Sequence, residues 1–374
     1  MKFRNSFRPT AEPFPRSAGA STSRSLFLVL LASAVAVCGS PAFGAGRKGD
    51  VVLNSMFINP NAAYPQCHAS TIVEVAPGTL AAAWFGGTRE GNPDVGIWFA
   101  EMKDGRWLPA KEVADGRQPD GNRYPTWNPV LFNPRNGLLV LFYKVGPSPS
   151  TWWGMMMTSS DSGKTWSKPR RLPEGVLGPI KDKPVLLPNG SWLCGSSEEG
   201  GGWRVHFELT SDEGRTWKVV GPVDGGGKYH AIQPTILLHP GGRLQALCRT
   251  QEGVIATTWS ADEGKSWSPL TSTGLPNPNS GIDAVTLADG RELLVYNDTG
   301  LIPGKPIESL RCPLSVAISN DGVKWKKVLT LEDKPCPAGY AYPAVIQSSD
   351  GLVRITYTWN RQHIKFVTID PAKL

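Results

Sequence analysis

Polar residues stand wherever an apolar, strand-like run begins in this chain: His68, Asn128, Lys181, Asp182, Lys183, Gln233, Asp283 and Tyr342. A second set follows the next apolar runs: Arg89, Glu90, Asp94, Lys144, Glu198, Glu199, Arg249, Gln251, Asn297, Asp298, Trp359, Asn360 and Arg361. The types matter as much as the spacing. A guanidinium fork meets a carboxylate through two parallel hydrogen bonds. Imidazole titrates near neutrality, and a phenol becomes nucleophilic only beside cations or a base. So much charge and amide at strand ends exceeds what turns require, and it reads as a binding site for a polar ligand.

The elements that carry these residues repeat. One unit is an apolar strand at residues 70–75, a corner at Gly78, and a second apolar strand at residues 80–85. The plan recurs at 128–132 with Gly137, 183–187 with Gly190, 233–238 with Gly241 and Gly242, 283–287 with Gly290, and 342–346 with Gly351. Most units end in a turn of the form Ser/Thr-x-Asp-x-Gly-x-x-Trp: Ser159, Asp161, Gly163 and Trp166; Thr210, Asp212, Gly214 and Trp217; Ser260, Asp262, Gly264 and Trp267. A shorter copy has Ser319, Asp321, Gly322 and Trp325, and a remnant runs from Asp104 through Gly105 and Arg106 to Trp107. In such a hairpin corner the Asp accepts from local backbone N–H groups, Gly supplies a positive φ, and Trp covers the sheet.

Repeats of this length with about four short strands each predict an all-β, six-bladed β-propeller with Asp-box turns. The sixth unit lacks its own outer strand, and residues 51–58 are expected to supply it and close the ring. An Ig-like sandwich is the competing all-β architecture. In a four-stranded blade, the start of the inner strand and the loop after the second strand share a face. Both polar sets therefore fall around one mouth of the central channel, with the Asp turns on the opposite face.

The six units and their Asp turns together resemble the sialidase superfamily over nearly all of the chain beyond its leader. That resemblance implies three arginines that bind a sugar carboxylate, a Tyr nucleophile assisted by a Glu, and an Asp acid/base. Arg249, ending the second strand of blade 4, resembles the second arginine, and Arg311, leading into the Asp turn of blade 5, the third. Tyr342, opening blade 6, resembles the nucleophile. Asp94 and Glu90 are both placed for the acid/base role in the loop of residues 86–94. The chain departs from the pattern at two points: His68 stands where the first arginine is expected, and Gln233 where the Glu is expected. A glutamine cannot take the tyrosine's proton, which leaves Glu198, Glu199 or His230 as alternative bases. Catalysis is thus expected from Tyr342, Asp94, Glu90 and His68. Substrate contacts are expected from Arg249, Arg311, Arg89, Gln233, Lys183, Asn128, Asp283 and Arg361.

Composition bounds the rest. The chain has 374 residues, 40% hydrophobic and 19% charged, which suits a soluble domain with a substantial core. Five basic residues before an apolar run at 26–37 and a small-residue stretch at 41–45 read as an export signal over 1–45, with the propeller occupying 46–374. Without the leader the formal charge falls from +7 to +3, which argues against a nucleic-acid partner. The apolar run is too short for a stable membrane span. Five cysteines remain (Cys67, Cys194, Cys248, Cys312 and Cys336) with no metal spacing, and only Cys312 with Cys336 invites a pairing test. No cofactor or metal is implied. The expected protein is an exported monomer acting on a glycan or acidic sugar: a sialidase-type exo-glycosidase, a uronate-polysaccharide lyase or hydrolase, or a non-catalytic glycan binder.

Overall fold

The computed structural model describes residues 50–374, which form six antiparallel sheets arranged as a six-bladed β-propeller. The leader expectation for residues 1–45 lies outside the described residues. In blade 1, Gln66–Ala76 pairs with Thr79–Gly87, which pairs with Gly96–Lys103. Blades 2 to 5 repeat this order from the channel outward. Blade 6 consists of Tyr340–Gln347, Val353–Trp359 and His363–Ile369, with Val52–Phe57 from the start of the described chain as its outer strand. Closure thus follows the expected plan: the last blade is completed by the first strand.

The turn chemistry does what its residue types dictate. At the turn closing blade 2, Ser159 Oγ accepts from Gly163 N at 2.8 Å, and Asp161 Oδ1 accepts from Thr165 N at 2.9 Å. The same contacts recur at Thr210 with Asp212 and Ser260 with Asp262. Each Asp feeds its charge into local N–H and O–H donors, and Asp161, Asp212 and Asp262 have pKa values lowered to about 2. The accompanying Trp rings cover the sheets, as where Trp267 stacks on Phe207 at 3.7 Å.

Four inner strands share a distortion that matters for the site. The pairing slips between His68 and Thr71, Trp127 and Val130, Ile232 and Thr235, and Ala341 and Ala344. Inside each slip one residue takes a left-handed backbone: Ala69 (φ 55), Asn128 (φ 35), Gln233 (φ 56) and Tyr342 (φ 52). A bulge of this kind re-aims a side chain that the regular pleat would direct elsewhere. Blade 3 is the exception to the expected strands. Its inner strand is only Val185–Leu186, where 183–187 was expected, because Pro184 has no N–H to give the ladder.

Candidate functional site

The bulges of blades 4 and 6 bring Gln233 and Tyr342 together at the channel mouth. Gln233 Nε2 donates to Tyr342 Oη at 3.2 Å, and Arg249 Nη1 donates to the same hydroxyl at 2.9 Å and to Gln233 Oε1 at 3.3 Å. Arg249 ends the strand Leu244–Thr250, and its Nε and Nη2 both donate to Asn279 Oδ1, at 2.9 and 2.7 Å. The Trp203 ring lies 5.2 Å from its guanidinium carbon. Gly281 passes so close behind that an added Cβ would stand 2.9 Å from Lys181 Cε and 3.1 Å from Tyr342 Cδ2. A larger residue there would crowd both Lys181 and the tyrosine ring.

Arg311 follows the short 3-10 turn Ile307–Leu310, and its carbonyl accepts from Tyr340 N at 2.8 Å, which fastens it to the strand that carries Tyr342. Its side chain is buried, with 5% of the residue exposed, yet Nε and Nη1 have no hydrogen-bond partner. Burial lowers its pKa to about 10, and Arg361 and Arg249 push it the same way. A buried guanidinium with two idle donors costs stability unless an anion completes it.

His68 is fully buried beside Tyr342, with ring centroids 4.2 Å apart, and its Nδ1 lies 2.9 Å from Thr358 Oγ1. Burial lowers its pKa well below the usual imidazole value, and Arg361, Arg311, Arg249 and Lys181 all add to that. A protonated His68 as the missing arm of a carboxylate clamp does not fit these surroundings. The cation that faces this position is Arg361, from the turn between the strands Val353–Trp359 and His363–Ile369 of blade 6. Arg361 lines a small cleft with His68, Phe85 and Glu90, and its Nη1 pairs with Glu90 Oε2.

The two carboxylates of the blade 1 loop separate. Asp94 is exposed, accepts from Thr88 N and Oγ1 at 2.8 and 2.5 Å, and is held below the ordinary carboxylate range chiefly by that hydroxyl. It closes the neck of the loop, whereas Glu90 at the tip reaches Arg361. Arg89 is exposed on the same loop. Among the alternative bases, Glu198 is exposed against Arg204, and His230 is exposed against Glu252. Glu199 is half-buried with a raised pKa. Burial is the main cause, Arg249 opposes it, and Glu90 adds to it.

Lys183 and Asp283 turn inward to hold the blades together and are not free for a ligand. Asp283 accepts from Lys183 Nζ at 2.9 Å, Thr235 Oγ1 at 2.8 Å and Val345 N at 2.8 Å, linking blades 3 to 6. Burial alone would raise its pKa, and Lys183 and Lys181 more than reverse that. Lys181 Nζ likewise ties Asp182, Ile282 O and Pro343 O at 2.6 to 2.8 Å. Asn128 is buried in its bulge, beside Trp127 at the end of blade 2's inner strand. Sequence reasoning missed Asn279, which orients Arg249 from a loop with no repeat signal. It also missed Thr358, which positions His68 from the neighbouring blade.

Among the described residues no group of three or more His, Cys, Asp or Glu side chains could hold a metal ion, and no helix is long and apolar enough to cross a membrane.

Residues 78–355 match the BNR repeat-like domain family. The anhydrosialidase of Macrobdella decora is 27% identical over 243 residues, covering 56% of this chain and 30% of that protein, so the chain spans under a third of this relative's length. The solved structure of a Dyadobacter fermentans protein of unknown function superposes with a TM-score of 0.70 at 18% identity, over 87% of this chain and 100% of the other. The Hadza microbial sialidase Hz136 superposes at 0.71 and 17% identity, over 86% and 69%. A Trypanosoma rangeli sialidase in complex with the inhibitor DANA gives 0.64 at 16% identity, over 82% and 55%.

Proposed function

The chain belongs to the BNR repeat-like domain family, and from that premise we propose that it is an exo-acting, sialidase-type glycoside hydrolase that releases a terminal acidic sugar from glycans. The observation that carries this reading is Arg311: a buried guanidinium with Nε and Nη1 unpartnered, flanked by Arg249 and Arg361 beside the Tyr342 hydroxyl. A sugar carboxylate supplies the acceptors that those donors lack, and arginine forks bind it in one fixed orientation.

In this reading the carboxylate sits against Arg311, Arg249 and Arg361, which sets the adjacent anomeric carbon before Tyr342 Oη. The phenol oxygen attacks that carbon while the glycosidic oxygen leaves with a proton from Glu90. Water then attacks the same carbon and gives a proton to Glu90, while the bond to Tyr342 Oη breaks and the phenol oxygen takes back the proton it gave up. The phenol proton must go elsewhere than Gln233, and in this reading Glu199, whose pKa burial raises against the opposing pull of Arg249, takes it. Export through the leader at residues 1–45 and action as a monomer belong to the same proposal. N-terminal sequencing of the secreted protein and its mass in solution test them.

The neutral, buried His68 against Tyr342 favours one second reading, a lyase that removes the proton beside a uronate carboxylate with His68 as base and Tyr342 as acid. Incubation of the purified protein with acidic glycans, followed by mass spectrometry and ultraviolet absorbance, separates the two. Hydrolysis adds water to the products, and elimination leaves an unsaturated, absorbing sugar. Saturable binding with neither product would leave a glycan-binding propeller.

A further inference from the structure

Three arginines meet at the channel mouth, but the carboxylates that face them are few. Lys181 is already matched by Asp182 at 2.6 Å, which leaves Arg249, Arg311 and Arg361 to be balanced from elsewhere. Arg249 spends its Nε and Nη2 on the neutral Asn279, and Arg311 has idle donors. Arg361 alone is in contact with a carboxylate, that of Glu90, across the seam between blade 6 and blade 1. The other carboxylates in electrostatic reach of the cluster are the half-buried Glu199, which faces Arg249, and Glu308, whose carboxylate acts on Arg311 without a hydrogen bond to its side chain.

The loop that carries Glu90 is built to hold it there. Asp94 and Thr88 close its neck, and turns from Arg89 O to Asn92 N at 3.0 Å and from Asn92 O to Val95 N at 3.1 Å shape the rest. Glu90 stands at the tip, and its side chain keeps a third of its surface open to solvent while Arg361 keeps a fifth. The pair is therefore anchored on both sides yet partly open to solvent.

We propose that Glu90 is an internal stand-in for the ligand's carboxylate, occupying Arg361 in the free protein and giving way when an acidic sugar binds. The inference rests on the acidic-sugar reading above and adds a specificity device to it. A neutral sugar brings nothing that could replace Glu90 on Arg361, so it leaves the pair intact. An acidic sugar brings a carboxylate that engages Arg361 together with the idle donors of Arg311, which Glu90 does not satisfy. Displacement then frees the Glu90 carboxyl beside the bound sugar.

Calorimetric titration of the full chain with N-acetylneuraminic acid and with its uncharged methyl ester tests this on the native protein, Glu90→Gln, Arg361→Gln and the double variant. Removing the internal competitor should tighten binding of the acid by about fivefold, the weight of one partly exposed ion pair, and leave the ester unchanged. In the Arg361→Gln background the Glu90→Gln gain should vanish. Equal or weaker binding of the acid by a folded Glu90→Gln variant, beside a native protein that does bind it, overturns the stand-in and spares the acidic-sugar reading. Binding of the acid by neither protein overturns both.

Discussion

Arg249 Nη1 donates to Tyr342 Oη at 2.9 Å, although the two residues lie 93 positions apart and belong to blades 4 and 6. With Gln233 Nε2 at 3.2 Å, the phenol oxygen receives two hydrogen bonds from donors and faces no carboxylate among its hydrogen-bond partners. Both donors converge on the one oxygen that the proposed reaction uses to attack. Replacing Tyr342 with Phe removes the attacking atom and keeps the ring against His68. Turnover of an acidic glycan should fall by roughly 10⁴-fold with the Kd of the free sugar acid nearly unchanged, as measured by steady-state kinetics alongside calorimetry. A variant that keeps its turnover would remove Tyr342 from the chemistry.

Arg311 offers a prediction in which stability and function move in opposite directions. Its guanidinium is buried with Nε and Nη1 unpaired, so it is a cost to the empty protein. Arg311→Met should leave Tm unchanged or raise it by a few degrees, roughly, while weakening an acidic sugar by about 30-fold to 10³-fold. Thermal denaturation and ligand titration of the same preparation check both halves. A variant that is destabilised and binds normally would make Arg311 a structural residue.

The blade plan was legible because its signals are local. Alternation, a Gly corner and the Ser-Asp-Gly-Trp turns each act within a few residues, and the missing outer strand of the last unit pointed directly to residues 51–58. The site was legible only as a neighbourhood. Lys183 and Asp283 stand at inner-strand starts like Tyr342, yet they neutralise each other between blades, which depends on a contact 100 residues apart. Asp94 and Glu90 lie four residues apart in one loop, and only the fold decides that Asp94 turns back on Thr88 while Glu90 crosses to Arg361. The protonation of His68 is likewise set by its burial in the fold and then by four cations from blades 3 to 6, none of them adjacent in sequence.

For His68 the sign of the pH effect can be worked out. Its folded pKa is depressed, so the imidazole is already neutral near pH 7 and takes no part in charge pairing there. Affinity for an acidic sugar should therefore show no loss from His68 titration between about pH 6 and 8. Below about pH 6.5 the unfolded chain gains a proton that the folded chain resists, and stability falls as pH falls. His68→Asn should remove that part of the slope in chemical denaturation between about pH 5 and 7. A native protein whose affinity drops steeply above pH 6, with the drop abolished in His68→Asn, would restore the protonated clamp.

Lys144 is buried between blades 2 and 3, donates to Pro179 O at 2.5 Å, and has a pKa lowered to about 7, mainly by burial and against the pull of Glu208. The unfolded side chain holds its proton to about pH 10.4. Between these values the unfolded state binds more protons, so stability is fully present above the unfolded pKa and is lost as pH falls toward 7. Lys144→Met should be more stable than the native chain at pH 7, by a margin that narrows as pH rises to about 10. Urea unfolding at several pH values reads this directly, and a margin independent of pH would assign the effect to packing alone.

Gln233 provides the sharpest test of the proposed chemistry, because it stands 3.2 Å from the phenol oxygen and 3.3 Å from Arg249 Nη1 but can take no proton. Gln233→Glu is nearly isosteric and places a carboxylate between the two groups, where the guanidinium keeps it ionised and within reach of the phenol proton. If Tyr342 is the nucleophile and Glu199 its base in the native chain, turnover should rise by about 10-fold to 10²-fold, and the pH–rate profile should gain an acidic limb from the new carboxyl. Affinity should weaken modestly, since the added negative charge competes with the sugar carboxylate for Arg249. The elimination reading predicts the reverse for rate: a carboxylate hydrogen-bonded to Tyr342 would disfavour its role as acid, and product formation would slow. Kinetics of the single variant with one acidic glycan, followed by both mass and ultraviolet absorbance, therefore decide between a tyrosine that attacks and a tyrosine that donates.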